Sequence, residues 1–422
     1  MKKKLWAIVV AALLVVCIGA AVSCNDGGDD DSDDAADDDA ADDDDAADDD
    51  DAADDDDDTV DDDDDDDDSG PLTEDCEPYG YGEPPVVVRG PYLQHTTQNS
   101  VRILWQTKTP SNSIVRFGLD ETLGYYHCDL EPVKYHEVEV DKLSPETVYH
   151  YLVRSDGAQS PLHTFATAPL YDSPFMFAVY GDNRTQPVEH QLVVDGIMAE
   201  SPDFVINVGD VVTHGWVFLE YDEEFFGQTG ELMANTPIYI SIGNHEAESV
   251  FYYNLFSLPG NEQWYTFDYG NARFIAINSN WSLTPDSVQV QWLEEALQQA
   301  VADGVEWIFT FCHHPAYSEG MSGFGGKLQI RNNFLPLMEE YGVDAFFNGH
   351  AHDYEHGFLN GVHHVLSGGG GAPLSGHKND FEHVSIFDSR YHYVKVEISG
   401  GTADLYAVNP DGTVFDSFTL EH

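Results

Sequence analysis

Apolar and polar positions divide the chain into four stretches, each with its own period. From Leu5 to Val22 the residues are apolar or small without interruption, whereas from Asp26 to Asp68 runs of Asp are broken by little except Ala. From Pro85 to about Pro169, short β-rich runs alternate with turn residues: Val86–Arg89, Val101–Thr107, Ile114–Gly118, His136–Val140, Val148–Val153 and Leu162–Ala166. Six such runs without a helical period predict an antiparallel β-sandwich. From Pro174 onward the apolar runs become nearly continuous, at Phe175–Tyr180, Phe204–Val208, Ile238–Ile242, Trp307–Cys312 and Ala345–Phe347. That pattern predicts strands covered on both faces, with helices between them. The clearest helical stretch has Thr284 as N-cap, Pro285 at its first position, and Val290, Leu293, Leu297 and Val301 at spacings of three and four. The expected fold class is multidomain, with a β-sandwich followed by an α/β sandwich.

The first apolar stretch reads as a targeting signal. Lys2, Lys3 and Lys4 precede it, and small residues lead from it into Cys24. A permanent membrane anchor is the competing reading, because 18 such residues just span a bilayer. Ala21-Val22-Ser23-Cys24 resembles the bacterial lipobox, although Ala21 replaces the more usual Leu. The resemblance implies cleavage before Cys24 and lipid on Cys24, hence a membrane-anchored lipoprotein on the outer membrane or cell surface. Plain secretion, or release into the periplasm, is the alternative.

Charge sharpens this picture. The 422 residues include 78 acidic and 17 basic ones, a formal net charge of −61, which excludes a nucleic-acid binder that meets phosphates with clustered Lys and Arg. Thirty Asp lie between Asp26 and Asp68; without them and Lys2–Lys4, 48 acidic residues face 14 basic ones, a net −34. The segment 24–70 has no apolar surface to bury and its charges repel, so it is expected to be a disordered spacer. A calcium loop needs Gly and ligands at fixed positions, which the irregular Asp/Ala repeat does not supply. Of the five cysteines, Cys17 leaves with the signal and Cys24 carries lipid. Cys76 and Cys128 form one candidate bridge, and Cys312 is expected to be a buried thiol. The domain reading is 1–23 signal, 24–70 lipidated linker, 71–169 β-sandwich and 170–422 α/β domain.

Each apolar run of the last domain ends on polar residues of a particular kind. These are Gly181-Asp182, Gly209-Asp210, Gly243-Asn244-His245-Glu246, His313-His314-Pro315 and Asn348-Gly349-His350-Ala351-His352. Ligands of open α/β sheets bind beyond the carboxyl ends of strands, so all five motifs can converge on one site. Two Asp, one Asn and three or four His are oxygen and nitrogen donors of intermediate softness. They suit a pair of first-row metal ions better than Ca²⁺ or a structural zinc. A carboxylate can serve two cations at once, and two metals about 3.5–4 Å apart stabilise both oxygens of a phosphoryl displacement.

This ordered set resembles the calcineurin-like metallophosphoesterase superfamily, and within it the purple-acid-phosphatase-like branch, over roughly residues 174 to 400. Arg89-Gly90-Pro91-Tyr92-Leu93-Gln94 followed by Val101-Arg102-Ile103-Leu104-Trp105 looks like the N-terminal domain of that branch, and Leu143–Tyr151 resembles the corner of fibronectin type III domains. The resemblance implies that Asp182 and His352 bind the first metal, that Asp210 bridges, and that Asn244, His313 and His350 bind the second. The metals would be Fe, Mn or Zn, and a hydroxide held between them would attack phosphorus. His245 would contact phosphate and protonate the leaving group. His313 is preferred to His314 because the family's ligand lies two residues before Pro; His314 becomes a pocket residue.

Two positions depart from the pattern. Arg184 stands where the superfamily often has a His, and Thr213 stands where purple members have a Tyr. The first metal is thereby left with three protein ligands, and no tyrosinate–iron colour is expected. Arg184 and Asn183 are expected to contact phosphate instead.

The implied activity is hydrolysis of small phosphate esters, phosphomonoesters first, with phosphodiester or nucleotide hydrolysis as the alternative. A non-catalytic surface-binding lipoprotein is the reading from another class, and metal content discriminates the two. A member that keeps the fold but has lost activity is opposed by the presence of every core ligand type. Trp216, Phe218, Tyr221, Phe225 and Phe226 fit either a substrate wall or packing. Gly368–Gly371 lacks the following Lys-Ser/Thr of a phosphate loop and reads as a close-packed turn near His350.

Overall fold

Consecutive residues of the central strands face opposite layers, which is why their apolar runs are continuous. The computed structural model describes residues 83–422. The expected signal, Cys24, the Asp-rich segment and Cys76 lie outside the described residues, and with them the lipid attachment and the Cys76–Cys128 bridge.

The first layer of the α/β domain contains β7 (Phe175–Tyr180), β8 (Phe204–Asn207) and β9 (Ile238–Ile240), which are mutually parallel. They continue a sheet of order β19-β18-β17-β7-β8-β9, whose antiparallel half is β17 (Tyr393–Ser399), β18 (Thr402–Val408) and β19 (Val414–Glu421). The second sheet has the order β10-β11-β12-β13-β15-β14-β16. Its parallel centre is β11 (Ala272–Ala276), β12 (Trp307–Phe311), β13 (Ala345–Asn348) and β15 (Val362–Ser367), flanked by β10 (Tyr265–Tyr269), β14 (Tyr354–Leu359) and β16 (Val384–Asp388).

Phe177 and Phe204 of the first sheet meet Phe274, Phe309 and Phe347 of the second in one buried core; the Phe177 and Phe274 rings, for example, stand edge to face at 5.1 Å. Their sequence neighbours Ile275, Ile308 and Phe346 face the other way, into a separate core with Val290, Leu293 and Leu297 of the helix Val288–Asp303. On the outer face of the first sheet, helix α1 (Pro187–Glu200) adds Val193, Val194 and Ile197.

That longer helix, α2, begins later than the sequence suggests. Ser287, not Thr284, is its N-cap, and its hydroxyl accepts the Val290 N–H. Thr284 instead closes a preceding turn by accepting the Ser287 N–H at 2.9 Å, so Pro285 lies outside the helix. Val301 is exposed rather than in the apolar stripe, because the layer beneath it ends at Ala300.

The N-terminal domain comprises β1 (Val87–Gln94), β2 (Val101–Gly118), β3 (Tyr125–Val140), β4 (Val148–Ser155), β5 (Ala158–Gln159) and β6 (His163–Ala166). The runs Val101–Thr107 and Ile114–Gly118 prove to be one strand. Its pairing with β3 shifts register between Gln106 and Ser113, so the intervening Lys108-Thr109-Pro110 makes an irregularity inside a continuous strand rather than a chain reversal. Trp105, Tyr151 and Phe165 anchor its own core. The Tyr149 hydroxyl accepts the Ser144 N–H at 2.9 Å, tying strand entry to the preceding turn. The domain meets the α/β domain through Tyr151, whose hydroxyl donates to the Ala234 carbonyl, and through Arg89, which pairs with Asp222 at 2.5 Å.

His190 of α1 illustrates the cost of such burial. Its ring is fully enclosed, one nitrogen is hydrogen-bonded to the Glu224 carbonyl, and burial pushes its pKa down to about 3. The unfolded chain protonates this group below about pH 6.5 while the folded chain refuses the proton, so stability falls as pH drops through that window. Between pH 7 and 5, His190→Gln should lose about 2 kcal/mol less than the wild type in urea titrations. Equal losses would contradict the assignment.

Candidate metal centre

The five sequence motifs come together at the carboxyl ends of β7, β8 and β9 in one sheet and of β12 and β13 in the other. Asp182, Asp210 and His350 leave their strands with φ of +54°, +58° and +69°. This left-handed region is uncommon for residues with a Cβ, and Asp and His tolerate it better than most. Two glycines allow the approach: a Cβ on Gly243 would lie 2.2 Å from Asp210 Oδ1, and one on Gly349 would lie 2.3 Å from Asp182 Oδ2.

At the centre, His313 is fully buried and its Nδ1–H donates to the Val208 carbonyl at 3.0 Å. That partner fixes the tautomer, leaving the Nε2 lone pair facing inward. Nε2 lies 3.0 Å from Asn244 Oδ1, 3.1 Å from His350 Nδ1 and 3.3 Å from Asp210 Oδ2. Ligand atoms of Asp210, His313 and His350 all lie within 4.8 Å of one another. Asp182 and His352 form a second pair. His352 donates Nδ1–H to the Pro373 carbonyl at 2.7 Å, which turns its Nε2 towards buried Asp182 Oδ1 at 3.6 Å. Asp182 Oδ1 has no hydrogen-bond partner, while Oδ2 accepts the His350 N–H at 2.8 Å.

Asn244 Oδ1, His350 Nδ1 and Asp210 Oδ2 converge on His313 Nε2, and such a set of ligand atoms calls for a cation. The titration behaviour agrees in direction. Burial opposes a charged His313, but the Asp210 and Asp182 carboxylates outweigh it and raise its pKa to about 9. Burial also opposes an ionised Asp210, yet His313 and His245 hold it below the usual carboxylate range. Asp182 is pushed well above that range, chiefly by burial. Burial lowers His350 to about 3, keeping it a neutral donor. Without metal, a proton on His313 would stand where a cation fits. The donor set therefore fits metal binding, with Asp210, Asn244, His313 and His350 gathered in one group and Asp182 and His352 in a neighbouring pair.

The remaining expected residues separate. Arg184 reaches the centre, with Nε 3.4 Å from Asp210 Oδ2 and Nη2 3.5 Å from His352 Nε2. His245 also faces it, with Nε2 3.8 Å from Asp210 Oδ2 and Nδ1–H donated to the Thr213 carbonyl at 2.6 Å. His314 lies beside His350, its ring centroid 4.3 Å away, and engages the Ser279 hydroxyl through Nδ1. Asn183 does not face the centre. It is fully buried, its amide N–H groups donate to the Val211 and Glu224 carbonyls, and its oxygen accepts from Asn207, so no group is left for phosphate. Of the aromatic group, Tyr221, Phe225 and Phe226 are buried packing, Phe218 packs partly buried against that core, and Trp216 alone stands well exposed at 64%. The Gly368–Gly371 turn packs against both ligand loops: Gly370 N–H donates to the Gly181 carbonyl, and a Cβ on Gly368 would meet the Ala351 carbonyl at 1.9 Å. Cys312 is buried, its thiol pushed up to about 12 by burial.

Glu246 is the residue the sequence reading passed over. Fully buried, it accepts the Asp210 and Gly243 N–H groups on Oε2 at 3.0 and 2.6 Å, and those of Val211 and Val212 on Oε1 at 2.8 and 3.4 Å. It thereby holds the bridging carboxylate's own backbone. Its place in Gly243-Asn244-His245-Glu246, a carboxylate with no ligand role left to it, was the available signal.

The model of the calcineurin-like phosphoesterase family matches residues 176–354, and that of the purple acid phosphatase N-terminal domain matches residues 89–167. The chain carries a purple acid phosphatase N-terminal domain followed by a calcineurin-like phosphoesterase domain. Among curated relatives it is similar to purple acid phosphatase 15 of Arabidopsis thaliana, with 27% identity over 52% of this chain and 49% of that protein. It is also similar to a nucleotide pyrophosphatase/phosphodiesterase of Hordeum vulgare, with 26% identity over 52% of this chain and 72% of that one. The match to the Arabidopsis relative thus spans about half of that protein's length. The purple acid phosphatase PPD1 of yellow lupin shares the fold, with a TM-score of 0.72 and 21% identity over 80% of this chain and 74% of that one.

Proposed function

We propose that this protein is an extracytoplasmic phosphoric ester hydrolase with two metal ions, acting first on phosphomonoesters. The observation that carries the reading is the ring of lone pairs around Asp210 Oδ2 and His313 Nε2, at a strand-end position where the calcineurin-like family model also matches. Metal ions held there would supply Lewis acidity and an activated water. The protein's own groups do the rest. The Arg184 guanidinium, beside Asp210 and His352, offers N–H groups to phosphate oxygens. His245 keeps Nδ1–H on the Thr213 carbonyl and presents Nε2 as the proton donor to the leaving oxygen. His314, beside His350, lines the site.

Extracytoplasmic placement and lipid on Cys24 rest on the N-terminal sequence. A fibronectin type III-like character for the N-terminal domain is supported by the Tyr149–Ser144 tie. Among the described residues that domain carries no cluster of metal-ligand-type groups, and it serves as a scaffold.

Exhaustive chelation should abolish hydrolysis of an aryl phosphate, and added Mn²⁺, Zn²⁺ or Fe²⁺ should restore it; elemental analysis of untreated protein should find about two metals per chain. Protein with neither metal nor inducible activity would favour a binding lipoprotein. Matched mono- and bis-aryl phosphates separate the monoesterase from the phosphodiesterase reading, which similarity to the barley nucleotide pyrophosphatase/phosphodiesterase keeps in play.

A further inference from the structure

We infer that Glu224 is a positioning residue that aims His245 at the leaving group, acting through Thr213. The inference rests on the reading of His245 as proton donor. Thr213 lies three residues past Asp210, and its carbonyl receives the His245 Nδ1–H at 2.6 Å. The same Thr213 is gripped from its other side by one carboxylate: its N–H donates to Glu224 Oε2 at 2.5 Å and its hydroxyl to Oε1 at 2.8 Å. Glu220 grips the next residue in the same manner, accepting the His214 N–H on Oε2 at 2.6 Å and lying 2.9 Å from the ring Nδ1 through Oε1. Gly215 N–H then donates to the His245 carbonyl at 2.8 Å. The loop is therefore bound to His245 at two points and to the acidic segment at two more.

Glu224 is itself fixed. It lies on the π-helical turn Tyr221–Phe226, a geometry that recurs at functional sites. Its carbonyl bonds the Asn183 amide and the His190 ring, and Asp222 on the same turn pairs with Arg89 of the N-terminal domain. An imidazole ring turns readily about its last side-chain bond, and the Thr213 carbonyl selects the orientation that brings Nε2 to the centre. Hydrolysis adds the OH of water to phosphorus and releases its proton; the P–O bond breaks towards the leaving oxygen, which takes the Nε2 proton. Only a leaving group that needs this proton depends on the ring's aim.

The test compares alkyl phosphate with 4-nitrophenyl phosphate, whose phenolate leaves without protonation. Glu224→Ala should lower kcat on the alkyl ester on the order of 10²-fold, the low end for a general acid, and on the nitrophenyl ester by less than about 5-fold. KM should change little for either ester. Glu224→Gln keeps one acceptor and should recover part of the loss. Thr213→Val keeps the backbone bond and should show the same leaving-group bias, more weakly, so it serves if Glu224→Ala fails to fold. In metal-free protein labelled with ¹⁵N-histidine, Glu224→Ala should broaden or shift the His245 Nδ1–H signal. Equal loss on both esters, or an unmoved Nδ1–H signal, overturns the inference. A wild type that cleaves neither ester overturns the proposed function instead, and the NMR comparison still decides this point.

Discussion

Asp210→Asn should abolish aryl phosphate hydrolysis, with a loss on the order of 10³-fold or more in kcat/KM, while leaving the circular dichroism spectrum unchanged. The asymmetry comes from what each carboxylate oxygen does. Oδ1 accepts the His245 N–H at 3.0 Å, a role that an amide oxygen fills equally well. Oδ2 lies 3.3 Å from His313 Nε2 and accepts from Arg184 Nε at 3.4 Å, and an amide nitrogen there would put N–H donors where a negative charge faces the centre. The substitution thus keeps the hydrogen bonding and removes the charge, so the fold survives as cation affinity falls. Elemental analysis of the purified variant should show fewer than two metals per chain. A variant that hydrolyses at the wild-type rate would end the dinuclear reading.

Glu246→Gln should cost about 3–5 kcal/mol of stability, measured by urea unfolding, and metal content should fall with it. Two oxygens of this fully buried side chain take four backbone N–H groups, from Asp210, Val211, Val212 and Gly243. Glutamine keeps one acceptor and turns an NH₂ group towards donors, leaving at least one buried N–H unpaired. Burial and the Asp210 charge raise the carboxyl to about 7, a cost that the nearby His313 and the backbone hydrogen bonds partly offset. Wild-type stability in the variant would show that the loops after β8 and β9 are held by something else.

The residues of the candidate centre were legible because each is announced locally. A short apolar run followed by Gly and a donor states both where a strand ends and what it presents there. Misreadings arose where a side chain's partner lies far along the chain. Asn183 and Arg184 are adjacent polar donors, and nothing local says that Val211, Glu224 and Asn207 consume one of them while the other reaches Asp210. Thr284-Pro285 is as good a helix start as any by composition, but the Ser287 hydroxyl wins because the layer that α2 must cover begins at Val290. Likewise Lys108-Thr109-Pro110 looks like a reversal until β3 pairs along both halves of β2.

By itself the sequence determined four stretches of different period, the uneven charge, the strand-end motifs and the chemistry of their donors, because composition and period are properties of neighbours. Tertiary structure alone decided which donors face one another, that Asp210 joins His313 and His350 in one group, that Glu246 and Glu224 hold the loops from behind, and that Asn183 is spent on the scaffold. Those outcomes depend on two sheets packing face to face, which brings residues more than a hundred positions apart, such as Val208 and His313, into hydrogen-bond contact.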